Sequence, residues 1–138
     1  MLGRVQPWLS RLALGWLFAF GGMSLSTALA QAELLIFGGQ SNDVFLGCLT
    51  CNRFDRASVL NTNGPHGSRF ATDSIWNRFG DYGGRFGTYS PCNRFGTNPP
   101  AVVDRQGNFY GYLTISRTYA RRLTDRTVLE WLENQVCD

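Results

Sequence analysis

Between Glu33 and Leu49 an apolar run, ELLIF, a polar stretch, GGQSND, and a second apolar run, VFLGCL, follow one another. That succession predicts a β-hairpin over 33–50. Near the other end AVVD, RQG and NFYGYLTI, from Ala101 to Ile115, predict a second hairpin over 99–116, turning at Asp104 and Gly107 and set off by Pro99 and Pro100. Then the spacing changes. Val128, Leu129, Trp131, Leu132 and Val136 form a stripe of helical period, so a helix is expected over 124–136, capped by Thr124, with Asp125 favouring its positive end. It is expected to close the core.

Neither period holds between the hairpins. Aligned on phenylalanine, 51–66 (CNRFDRASVLNTNGPH), 67–82 (GSRFATDSIWNRFGDY) and 83–98 (GGRFGTYSPCNRFGTN) fall into ungapped register. Arg53, Arg69 and Arg85 coincide, as do Ser58, Ser74 and Ser90, then Asn61, Asn77 and Asn93, then Gly64, Gly80 and Gly96. The pattern reads as a sixteen-residue tandem repeat whose units bury together what one unit cannot bury alone. Within a unit, Ser is expected to satisfy early amides and Gly to end the turn in a left-handed conformation. Phe70 with Phe79, and Phe86 with Phe95, are expected to face a shared core, and Asn63 in the second aromatic slot makes the first unit the frayed edge. Gly, Asn, Asp and Ser recur too often for long strands. The fold class expected is therefore mainly β, with turn-rich repeats and one C-terminal α-helix in a small disulfide-stapled domain.

Residues 1–30 read differently. Arg4 and Arg11 precede LALGWLFAF, and small residues end in ALA at Ala30, the order of a signal peptide cleaved before Gln31 or, alternatively, before Glu33. Glycines and hydroxyls dilute the apolar run below the ~20 residues a membrane span needs. The expected mature chain, 31–138, is a single secreted or periplasmic domain. The leader holds two of the thirteen basic residues and none of the ten acidic ones, so the mature net charge falls near +1. A basic footprint for nucleic acid is absent. Every basic side chain is arginine.

Four cysteines in an exported chain point to two disulfides. Of the three connectivities, Cys48–Cys51 with Cys92–Cys137 is favoured, because Cys92 stands where the neighbouring units place Leu60 and Trp76, and Cys137 ends a helix that needs anchoring. The CLTC motif also admits a thiol-redox reading, but it precedes a turn-rich stretch rather than opening a helix. A four-cysteine zinc site would need a second close pair. No metal or other cofactor is expected.

Catalytic candidates are few. His66, the single histidine, lies in NGPHG and reads as a solvated turn residue, and Asp43, Asp55, Asp73, Asp81 and Asp104 read as turn and cap acceptors rather than calcium ligands. The chain is expected not to be an enzyme. The binding reading rests on the Arg-Phe pairs at Arg53, Arg69, Arg78, Arg85 and Arg94, and Arg53, Arg69 and Arg85, with Trp76, Tyr82 and Tyr89, are the candidate ligand-binding residues for an anionic envelope glycan. A row of like charges must be compensated, and packing of each arginine on phenylalanine with pairing to Asp55, Asp73 or Asp81 is favoured over a ligand.

The ordered set FLGCLTC, SIWNRFG-DYGGRFG-TYSPCNRFG and NPPAVVDRQGNFYGYLT resembles a group of uncharacterised small secreted bacterial proteins with tandem S-x-W-N-x-F/Y-G units and a C-L-x-C motif. The resemblance covers about Phe45 to Thr114 and implies export and a shared fold, without an activity, cofactor or catalytic residue. The leading expectation is an exported structural or interaction protein of the cell envelope, whose partner is a glycan or another envelope protein. A glycan-binding module comes second and a thiol-redox protein third.

Overall fold

The computed structural model describes residues 31–138, and the leader expected over 1–30 lies outside the described residues. Both hairpins form: β1 (Leu35–Gly38) with β2 (Val44–Cys48), and β3 (Ala101–Val103) with β4 (Phe109–Tyr112). They join into one four-stranded antiparallel sheet of order β2-β1-β3-β4, in which Leu35 pairs with Val103 and Phe37 with Ala101. Pairing in the first hairpin extends a little beyond its strands: the Leu49 N–H donates to the Leu34 carbonyl at 2.7 Å, and the Leu34 N–H to Thr50 Oγ1 at 2.9 Å. In the second, the Asp104 carboxylate organises the turn. It accepts from the amides of Gln106 and Asn108, the Asn108 side chain and the Tyr110 hydroxyl. Gly107 sits at φ +85°, where a side chain would be strained. The carboxyl of Asp104 is held below the usual aspartate range, first by the Asn108 side chain.

The core takes Ile36, Leu46 and Val102 from the sheet, Val59, Ile75 and Cys92 from the connecting segment, and Leu132 and Val136 from the C-terminus. Segment 51–98 contains neither helix nor paired strand, apart from one bridge at Ser58. It begins against the outer edge of β2: the Cys48 N–H donates to the Ala57 carbonyl at 2.7 Å and the Val59 N–H to the Cys48 carbonyl at 3.0 Å. Part of an exposed strand edge is covered in this way.

The C-terminal helix is shorter than its stripe. It runs over α1 (Arg126–Trp131), and its cap is Asp125 rather than Thr124: Asp125 has extended backbone and its carboxylate accepts from the Val128 N–H at 3.1 Å. A π-helical turn, Leu132–Val136, follows, with the Cys137 N–H donating to the Leu132 carbonyl. The wider turn brings the residue five on from Leu132 back toward the face on which Leu132 is buried. Cys137 is thereby aligned with Cys92. The two disulfides are Cys48–Cys51 and Cys92–Cys137, with Cα atoms 5.5 and 5.2 Å apart, and no free cysteine remains among the described residues. Among those residues no helix is long and apolar enough to cross a membrane.

Candidate binding edge: the arginine–phenylalanine row

Segment 51–98 winds largely by turns of three residues. The amides of Asp55, Ser58, Asn61 and Gly64 each donate to the carbonyl three residues earlier, and Asn77 and Gly80, then Ser90, Asn93 and Gly96, do the same. Side chains tie successive windings together. The Nδ2 groups of Asn61, Asn77 and Asn93 donate to the carbonyls of Asp55, Ala71 and Gly87, six residues back, while their Oδ1 atoms accept from the amides of Asn63, Phe79 and Phe95. Ser58, Ser74 and Ser90 accept from the amides two residues on, and the first two also donate to the carbonyls of Cys51 and His66. These serines are essentially fully buried.

Such a coil is too narrow to hold rings. A Cβ built on Gly83 would lie 2.6 Å from the Ile75 carbonyl oxygen and closer still to that of Asn77. Gly64, Gly80 and Gly96 are also places of close approach; they are absent from the positive-φ glycines, so the expected left-handed termination does not occur. Ser, Asn and Gly fill the interior, and Val59 and Ile75 point into the main core.

The expected inward-facing phenylalanines are therefore outside. Phe54, Phe70, Phe79, Phe86 and Phe95 are 87% to 101% exposed, and none pairs with another ring among the described residues. Each directly follows an arginine, and all five arginines are exposed. Neighbouring stations share grooves. Phe54 and Asn63 line one of about 600 Å³, Asn63 and Phe70 another of about 530 Å³, and Phe86 and Phe95, with Arg85 and Arg94, a third of about 500 Å³. Arg78 and Arg85 line a smaller one.

The expected compensation of these charges is not found. Among the described residues the ion pairs are Arg105–Glu33, Arg117–Glu133 and Arg122–Glu133, and the one cation over a ring is Arg121, 4.4 Å from the Phe109 centroid. Arg53, Arg69, Arg85 and Arg94 have neither kind of partner there, while Arg78 donates to the Asp138 backbone oxygen. Residues 51–98 contain six arginines and three aspartates; the remainder of 31–138 contains five basic and seven acidic residues. Positive charge is thus concentrated on the part of the chain that carries the rings.

The other candidate residues lie elsewhere. Trp76 packs edge-on against Trp131 at 5.7 Å and donates its indole N–H to the Val59 carbonyl at 2.7 Å. Leu60, in the corresponding register position, has no such cover and is 43% exposed. Tyr82 and Tyr89 stack at 5.9 Å, both half-buried. Burial, followed by the nearby Asp73 and Asp81 carboxylates, pushes the Tyr82 hydroxyl pKa up. His66 lies in a turn and is half-buried: its ring packs edge-to-face with Phe45 at 4.8 Å and its Nδ1–H donates to the Asp73 carbonyl. Cys48 and Cys51 are bonded and buried. No group of three or more His, Cys, Asp or Glu that could hold a metal ion occurs among the described residues.

Sequence reasoning picked out all five Arg-Phe pairs of the row but put its phenylalanines inside. A usable signal was present: the residue after the ring is Gly at Phe79, Phe86 and Phe95, and the preceding residue is always Arg, so no large apolar neighbour accompanies any ring. No protein-family model, curated protein or solved structure matches the chain.

Proposed function

We propose that the chain is an exported, secreted or periplasmic protein of the bacterial cell envelope that acts by binding, and that its arginine–phenylalanine row is the docking face for an anionic partner. The observation that carries this reading is the near-complete exposure of five phenylalanines, each beside an exposed arginine. Leaving that much apolar surface in water is unfavourable, and contiguous apolar patches rimmed by charge are characteristic of interaction sites. In this reading 51–66, 67–82 and 83–98 are copies of one unit, and duplication is what sets the stations of the row at regular intervals. The matching bonds of Asn61, Asn77 and Asn93 support it.

An anionic envelope glycan is the second reading, favoured by the stacked Tyr82–Tyr89 pair within the coil. A thiol-redox role at Cys48 and Cys51 ranks third, since both are buried. The test is retention of the exported chain on envelope fragments. Salt-sensitive retention that falls when Arg69 and Arg85 are changed to Gln is the expected result, with an intact mass starting at Gln31 or Glu33. Retention unchanged by both substitutions would remove the row from the function.

A further inference from the structure

We infer that the partner of the arginine–phenylalanine row is the surface of an anionic phospholipid bilayer, with the phenyl rings entering the apolar side of the interface and the guanidinium groups meeting lipid phosphates. This rests on the reading of the row as a docking face and goes further by naming the chemistry of the partner.

The argument starts from what the row still has to offer. The Asn and Ser side chains nearest the rings are already spent on the coil's own backbone. Phenylalanine has no polar handle, and guanidinium donates without accepting. A polysaccharide presents hydroxyls that must both give and receive hydrogen bonds, and in 51–98 the charged acceptors are three, Asp55, Asp73 and Asp81, against six arginines that only donate. An anionic bilayer asks for what is present: apolar area to take out of water and cations for phosphate.

The arrangement agrees. Ring and cation are adjacent in sequence at every station, so both leave the coil at similar height. Grooves join Phe54 to Phe70 through Asn63, and Phe86 to Phe95, while Arg78 and Arg85 line a further one. The charge division, six arginines against three aspartates in 51–98 and five basic against seven acidic residues elsewhere in 31–138, makes the segment that carries the rings net positive and favours its approach to a negative surface. Of the grooves lined by these rings, Glu133 and Asp138 reach only that of Phe86 and Phe95. Asn63 is the one polar station. It interrupts the row between Phe54 and Phe70, is exposed, and gives the proposal a test by gain as well as by loss.

The experiment is co-sedimentation of the oxidised chain with vesicles of phosphatidylcholine alone and of phosphatidylcholine mixed with phosphatidylglycerol, alongside binding to a soluble sulfated polysaccharide. Binding to the anionic vesicles is expected, weakened roughly tenfold or more in the double variant Phe79→Ser/Phe95→Ser and strengthened by about fivefold in Asn63→Phe. All three side chains are exposed, so an unchanged urea midpoint will show that the fold is intact. Vesicle binding that ignores both variants is charge adsorption alone and overturns the inference. Polysaccharide binding without vesicle binding also overturns it, while leaving the docking face standing. Binding to neither removes both.

Discussion

The sheet and the coil use apolar residues in opposite ways. In β1, alternation sends Ile36 into the core, where it joins Leu46 and Val102, all three with no exposed surface. In 51–98 the buried positions include Ser58, Ser74 and Ser90, and the five phenylalanine rings are the most exposed apolar groups. The difference is one of available space. A sheet has a broad face against which side chains stack, whereas the coil closes on itself at contacts only six residues back, and its interior admits little beyond backbone and small polar groups. Hydrophobicity decides what is buried only where there is room to bury it.

The largest effect is expected where that space is removed. Gly83→Ala would press a methyl group against the carbonyls of Ile75 and Asn77, both backbone and neither free to swing aside. A loss of about 4 kcal/mol or more, or failure to fold, is expected in urea denaturation, beyond the usual range for a point substitution. A fully stable variant would show that the coil is wider than described. Next comes the link between the two halves. Replacing Cys92 and Cys137 together by Ser releases the C-terminal turn from the coil, across a separation of 45 residues, and is expected to cost about 2–4 kcal/mol. The same change at Cys48 and Cys51, separated by 3, should cost clearly less, since the loop is short. Equal losses would remove loop length as the cause.

Legibility in the sequence divides along the same line. The hairpins could be read because alternating apolar residues and turn chemistry are local, and so could the cysteine pairing, since the position of Cys92 relative to Trp76 placed it where the helix packs. The pairing of β1 with β3 could not be read, because the contact of Leu35 with Val103 spans the whole coil and leaves no local mark. Thr124 and Asp125 are both competent caps. Only the backbone at Asp125 decides between them. The row was half legible: its arginines stood out as a charge problem, but its rings were assigned by hydrophobicity to a core that the coil cannot contain.

A smaller effect, confined to the sheet, should appear on acidification. Because the carboxyl of Asp104 titrates below its ordinary value of 3.8 when folded, its contribution to stability is full at higher pH. It then declines as pH falls through that value and is lost below the lowered folded pKa. The urea midpoint should fall over this interval, and Asp104→Asn should flatten that part of the profile while lowering stability at neutral pH. A variant with an undiminished acid slope would assign the slope to other carboxylates.

The smallest effect sharpens the comparison most. Ile75 and Phe79 are close neighbours in the coil; Ile75 has no exposed surface and joins the core, and Phe79 is 101% exposed. Ile75→Ala is expected to cost about 2–5 kcal/mol, as deletion of a buried aliphatic side chain does. Phe79→Ser removes a much larger apolar group, yet its cost should stay within about 0.5 kcal/mol, because the ring makes no core contact in the folded chain. The amide of Phe79, which donates to Asn77 Oδ1, is kept by serine, so the local turn survives the change. Urea denaturation of the two variants side by side decides the matter. If Phe79→Ser destabilises the protein as much as Ile75→Ala does, the ring belongs to the fold. If it does not, the five rings owe their presence to something outside the folded chain.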